Sequence, residues 1–272
     1  MTVGEFFRET RETFLRWNRK TLRRPMFLFF ALVQPIVWFI LFTSAFSAIA
    51  NLPGFPTTNY VTWFTAAVVI QTVIASSMQS GLGMVSDLES GFLDKMRVAP
   101  IHRSSILFGK LLSDAFRILL QSLIIIGIAL AYQVNFGTGV EGILLILVIA
   151  ALFGIAWSGI SNTLAFATKN AEVTTMASLL TTFPLLFLST AMMPAYLLPA
   201  WVQTVAKYNP LSYIADALHA LVIAPSLSSL VPSVLGPENG WTVLALAFVT
   251  IVVVGALTLT GASRMFRRTM ST

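Results

Sequence analysis

Along its 272 residues the chain alternates long uncharged runs with short charged ones. Residues 26–50, 51–86, 118–140, 142–168 and 239–263 contain no Asp, Glu, Lys or Arg. A bilayer core takes roughly 20 apolar residues of helix, and each run can supply them. An open sheet cannot satisfy its backbone in lipid, so helices are predicted. Six spans emerge, at about 26–48, 60–82, 106–131, 142–166, 174–193 and 241–262. Pro35 and Pro184 fall inside the first and fifth and are expected to kink them. The expected fold class is an all-α integral membrane protein with six transmembrane helices.

Three segments lie outside these spans. Residues 1–25 predict a cytoplasmic amphipathic helix. Val3, Phe6, Phe7, Phe14, Leu15, Trp17 and Leu22 share one half of the helical wheel, and the charges share the other except for Arg11. Such a helix lies on anionic lipid, or is solvated and only sets topology. The cost of exposing three Phe and a Trp favours lipid. Residues 86–100 interleave charges with Leu88, Phe92, Leu93, Met96 and Val98, predicting a second amphipathic helix that serves a cytoplasmic client or lies on lipid as a linker. Residues 194–240 are cut by Pro199, Pro210, Pro225, Pro232 and Pro237. Short helices at about 199–207 and 210–223 are expected there, lying in or dipping into the outer interface.

Composition agrees. Hydrophobic residues are 56% and charged residues 10%, with a mean hydropathy of +0.82. A soluble domain carries about 25% charge, so a soluble enzyme and a nucleic-acid-binding protein are excluded. With no Cys, disulfides and thiol chemistry are excluded. No cleavable signal peptide is expected, because the first 25 residues carry seven Lys and Arg without a short apolar core and cleavage site. Of the 17 Lys and Arg, only Lys207 falls on one side of the predicted topology. Both termini are therefore expected in the cytoplasm.

Candidate chemistry is sparse. Gly109-Lys110 lacks the preceding Gly and following Ser or Thr of a phosphate loop, so no ATP site is expected here. Thr65, Thr72, Ser76 and Gln79 form a polar stripe on the second span, and Ser178, Thr181, Thr182 and Ser189 form another on the fifth. Both read as packing seams or as walls of a substrate path. Asp114 and Arg117 are spaced to pair structurally or to act in gating, and Asp216 and His219 share a helical face suited to a local hydrogen bond or to a proton, with no third ligand spaced to complete a metal site. His102 is expected to meet headgroups. No metal ligand set is predicted.

Two blocks carry a family resemblance. The first runs from Asp87-Leu-Glu89-Ser-Gly91-Phe-Leu-Asp94-Lys-Met-Arg97-Val-Ala-Pro100 to Gly109-Lys110. The second holds Pro184 to Pro194, Leu198-Pro199-Ala-Trp201, Asn209-Pro210-Leu-Ser-Tyr213 and Asp216-Ala-Leu. Together they resemble type-2 ABC exporter permeases, nearest the daunorubicin-resistance branch. His219 departs from that branch, which commonly carries Arg there.

The resemblance implies a permease subunit that pairs with a second one, as homodimer or heterodimer, and with a separate ATP-binding cassette subunit holding ATP and Mg. Residues 86–100 would be the coupling helix, with Asp87, Glu89, Gly91, Asp94, Arg97 and Pro100 meeting the ATPase. Residues 194–240 would form an extracellular cap around Asn209, Pro210, Tyr213, Asp216 and His219. The two polar stripes would face an amphiphilic drug or lipid in a cell membrane. A secondary transporter driven by a proton or sodium gradient is the alternative. It needs ionisable groups at mid-bilayer, and spans 1, 2, 4 and 6 have none at their centres.

Overall fold

The computed structural model describes residues 3–23, 25–98, 102–226 and 240–269, and the regular structure among them is helical. In chain order the helices are α1 (Val3–Leu22), α2 (Pro25–Ala45), α3 (Tyr60–Glu89), α4 (Phe92–Val98), α5 (Arg103–Ala131), α6 (Gly139–Thr168), α7 (Ala171–Phe187), α8 (Ala200–Ala206), α9 (Pro210–Ile223) and α10 (Gly240–Thr269). Among the described residues α3, α5, α6 and α10 are long and apolar enough to cross a membrane, while the described apolar parts of α2 and α7 are shorter. At 1.5 Å per residue a 30-residue helix is about 45 Å long against a hydrocarbon core of about 30 Å. The ends of α3, α6 and α10 therefore reach past the core.

Local chemistry sets the starts. Asn59, Asn170 and Asn209 sit before α3, α7 and α9, where their side chains accept from the Val61, Val173 and Leu211 N–H groups at 2.9, 3.0 and 3.0 Å. Caps of this kind contribute about 1 kcal/mol each.

Several boundaries differ from the sequence reading. The second span continues to Glu89 and the last to Thr269. The fifth stops at Phe187, one turn after Pro184, instead of reaching 193. The helix expected over 86–100 is divided, because Gly91 takes a φ of +64° that suits glycine and turns the chain between α3 and α4. Residues 227–239 of the expected cap lie outside the described residues.

α3 is the central helix. Trp63, Phe64, Val68, Ile70 and Val73 are fully buried against α5, α6 and α9. α6 and α10 approach through small residues. Thr258 Oγ1 donates to the Ala156 carbonyl at 2.6 Å, and a Cβ on Gly159 would lie 2.6 Å from that hydroxyl. Close approach of this kind is how helices associate where lipid removes the hydrophobic drive. In α9, Leu211 to Val222 are buried apart from Tyr213. Its apolar residues face protein on every side, so it seals one end of the bundle.

α1 also differs. Its buried positions are Thr10, Thr13 and Trp17, while Phe7 and Leu22 of the expected apolar face are exposed. The reason is a close crossing with α5. A Cβ on Gly109 would lie 2.6 Å from both the Thr10 carbonyl oxygen and Thr13 Cβ, so small residues are needed on both helices. Trp17 then joins Met84, Leu93, Leu107, Phe166 and Phe266 in an apolar cluster at this end.

Candidate functional site: a charged layer beside two clefts

The charged layer begins at Asp87, in the last turn of α3. Its buried carboxylate accepts from Arg16 at 2.9 and 3.2 Å and from Lys20 at 2.9 Å. The Arg16 guanidinium lies 3.3 Å from the centroid of Phe92, the first residue of α4. Leu93 is buried below it. α4 is therefore rooted in the α1–α3 junction, while Glu89 and Lys95 stay exposed. Of the expected coupling residues, Asp87 is committed to α1, Glu89 is available at the surface and Gly91 makes the turn. Pro100 lies outside the described residues, as do the side chains of Asp94 and Arg97.

The layer continues into the bundle. Lys110 Nζ lies 2.5 Å from Asp114 Oδ2, and Arg117 Nη2 lies 3.0 Å from Asp114 Oδ1. Ser80 donates to Asp114 at 2.5 Å and accepts from Lys110 and from the Asn162 amide at 3.1 Å each. Arg117 also donates to the Ser76 hydroxyl at 2.9 Å and to its carbonyl at 2.7 Å. The Trp17 ring covers Lys110, with Nζ 4.5 Å from its centroid. One carboxylate thus serves two buried cations, and hydroxyl, amide and aromatic groups meet their remaining demand. The Asp114–Arg117 pair was legible from its spacing. Lys110 was legible in principle from its i,i+4 relation to Asp114, but Ser80 and Asn162 carried no local signal.

At the edge of this layer Glu9 accepts from the His102 N–H at 3.0 Å and contacts its ring nitrogen at 3.1 Å. His102 was expected to meet lipid headgroups, and it instead joins α1 to the start of α5. Burial opposes the Glu9 charge, but the polar groups of His102 and Ser105 together outweigh it and hold the carboxyl below its usual pKa. A negative charge at a helix start is also favoured by the helix dipole.

The polar stripes are only partly brought together. Gln79 and Thr182 line a cleft of about 190 Å³ between α2, α3 and α7, with Gln34, Gln71, Trp38 and Phe183. Thr65 and Thr72 instead donate to their own helix, at 2.8 Å to the Val61 and Val68 carbonyls. Ser76 is taken by Arg117. Ser178 is buried, Ser189 donates to the Leu186 carbonyl at 2.7 Å, and Thr181 bonds the Ala177 carbonyl on the exposed face. A second cleft, of about 200 Å³, lies between α1, α3 and α5. Gln34 and Gln71 escaped sequence reasoning because nothing local marks a helix face as concave.

At the opposite end the cap residues hold the turn after α7. Asn209 donates to the Leu185 and Leu188 carbonyls at 2.6 and 3.0 Å. Pro210 takes the first helical position of α9, and Tyr213 donates to the Lys207 carbonyl at 2.6 Å. Asp216 accepts from Thr190 at 2.9 Å. His219 Nε2 donates to the Ala191 carbonyl at 3.1 Å, and its ring stacks on Trp63 at 3.7 Å. Asp216 and His219 thus each bind the 189–192 turn.

The ABC-2 type transporter family matches residues 9–223. The putative transport permease ycf38 of Porphyra purpurea is 31% identical over 72% of this chain and 67% of its own length. The daunorubicin resistance ABC transporter permease protein DrrB1 of Streptomyces coeruleorubidus is 27% identical over 73% and 69%. The probable doxorubicin resistance ABC transporter permease protein DrrC of Mycobacterium tuberculosis is 23% identical over 84% and 81%. These likenesses do not favour a gradient-driven transporter. The chain belongs to the ABC-2 type transporter family, in its daunorubicin-resistance branch, and is the multi-pass membrane permease subunit of an ABC exporter.

Proposed function

We propose that α2, α3, α5, α6, α7 and α10 are six membrane spans of a cell membrane, with both termini in the cytoplasm and the charged layer at the cytoplasmic end of the bundle. The Lys and Arg asymmetry supports this orientation, since only Lys207 of 17 falls at the cap end. One copy works with a second permease subunit and with a separate ATP-binding cassette subunit that binds ATP and Mg and hydrolyses the nucleotide. The cargo is an amphiphile. A cleft that sets three glutamine amides and a threonine among aromatic and aliphatic walls supports that class, as do relatives named for daunorubicin and doxorubicin resistance.

The observation that carries the coupling role is the arrangement of α4. Its root is fixed by Arg16, Phe92 and Leu93, while Lys95 on α4 and Glu89 at the adjoining end of α3 present charge outward. A helix held at its base transmits a push from a docked partner to α3 and α1. Glu89→Lys should insert and fold normally yet recover less ATP-binding subunit on co-purification and lose export. Full export with unchanged recovery would leave α4 a tether.

A further inference from the structure

We infer that the two clefts form one loading site for an amphiphile with a phosphate-type anionic headgroup. The headgroup lies by Lys20, Arg117 and Gln79, and the tail lies between α2, α3 and α7. This rests on the permease reading above and adds the charge of the cargo.

The clefts share a wall. Gln79 and Leu82 line both. Gln71, Ala75, Met78, Gln79, Leu82 and Ser86 recur at helical spacing along one strip of α3. From Gln71 to Ser86 the strip rises about 22 Å, the scale of a single-chain amphiphile. The two ends differ in kind. Trp38, Phe183 and Leu186 wall the first cleft, whereas Lys20 and Arg117 face the second. A basic groove on α1, lined by Arg16, Arg19, Lys20 and Arg23, extends the second cleft outward.

The balance of charge selects the headgroup. No carboxylate lines either cleft or the groove among the described residues. Asp87 is shared by Arg16 and Lys20, and Asp114 by Lys110 and Arg117, so cations outnumber carboxylates. A cationic headgroup would add to that excess, and an anion relieves it. Gln79 lines both clefts where they meet. Its buried Oε1 has no hydrogen-bond partner. An unpartnered acceptor calls for a donor, which the P–OH of a singly ionised phosphate monoester supplies once the side chain turns toward the cleft.

The full chain in phosphatidylcholine nanodiscs tests this with three fluorescent single-chain amphiphiles of one tail. Their headgroups are phosphate monoester, phosphocholine and trimethylammonium. The phosphate monoester should bind about tenfold more tightly than either other probe, and Lys20→Gln and Gln79→Leu should each weaken it about tenfold. Ala75→Phe, which fills the tail cleft, should weaken all three. Equal binding of the trimethylammonium probe, or phosphate binding that survives both headgroup substitutions, would overturn the inference. The headgroup comparison uses the unaltered protein, so misfolding of a variant cannot obscure it. Binding needs no ATPase and is therefore separable from the permease reading. That reading fails if the complex with its ATP-binding subunit moves no amphiphile on ATP addition while the phosphate probe still binds.

Discussion

Lys110 and Asp114, one turn apart on α5, hold each other at 2.5 Å with both side chains shielded from solvent. Arg117 takes the second carboxylate oxygen at 3.0 Å. A single carboxylate therefore compensates two cations inside the helix bundle, and everything around it is arranged to supply what the carboxylate lacks.

Removing that carboxylate should be severe. Asp114→Asn leaves Lys110 and Arg117 buried without their counter-charge, at an expected cost of about 3–5 kcal/mol. Lys110→Met leaves the Asp114–Arg117 pair intact and should cost less. Thermal unfolding of detergent-solubilised protein, with the monodisperse fraction on size exclusion, ranks the two. A Lys110→Met variant less stable than Asp114→Asn would contradict this account.

Asp87 and Glu89 are two residues apart but should fail in different ways. Asp87→Asn removes the acceptor for Arg16 and Lys20 and should loosen α1 and α4 together, lowering the unfolding temperature. Glu89→Lys changes a solvated position and should shift stability by less than about 0.5 kcal/mol, while reducing recovery of the ATP-binding subunit. Parallel unfolding and co-purification measurements separate the effects. Equal destabilisation would mean that Glu89 also has a partner within this chain.

The α1–α5 crossing requires glycine at 109. In Gly109→Val the Cβ alone would lie 2.6 Å from the Thr10 carbonyl oxygen. Overpacking of this kind typically costs about 1–3 kcal/mol. Limited trypsin digestion should then cut sooner at Arg11 and Arg16. Gly4→Val, where a Cβ meets open space, is the control and should leave the digestion rate unchanged.

Topology can be read directly because the chain has no cysteine. A cysteine at Tyr208, 86% exposed beside the cap, should react with an impermeant maleimide in intact cells. One at Ser90, exposed in the turn to α4, should react only after permeabilisation. Labelling of Ser90 from outside would reverse the proposed orientation.

Replacing His219 tests the cap. His219→Phe keeps a ring against Trp63 but removes the donor to the Ala191 carbonyl, which is then buried without that partner. The expected cost is about 1–3 kcal/mol in thermal unfolding. An unchanged unfolding temperature would show that the His219 bond adds nothing to the hold that the Trp63 stack, Asn209 and Asp216 already have on the turn.

The main helices were legible because their cause is local. A run without charge in lipid must close its own hydrogen bonds, and Pro199 and Pro210 set off the short helices α8 and α9. The Asp87–Pro100 block and the Pro184–Asp216 block likewise pointed to the family. The site was less legible. The two stripes looked alike on a helical wheel, yet only Gln79 and Thr182 reach the first cleft, because a hydroxyl can bond its own helix and a wheel does not show which face is concave.

What the tertiary structure decided are pairings across long stretches of chain. Arg16 meets Asp87 across 71 residues, Ser80 meets Asn162 across 82, and His219 reaches Ala191 across 28 while stacking on Trp63. The sequence by itself determined where helices form and which ends carry charge, since backbone satisfaction and solvation act residue by residue. Whether a charge finds solvent, lipid or a counter-charge depends on which helix stands beside it. At α1 that neighbour was settled by Gly109, the position on α5 where Thr10 and Thr13 come close enough to bring Arg16 and Lys20 onto Asp87.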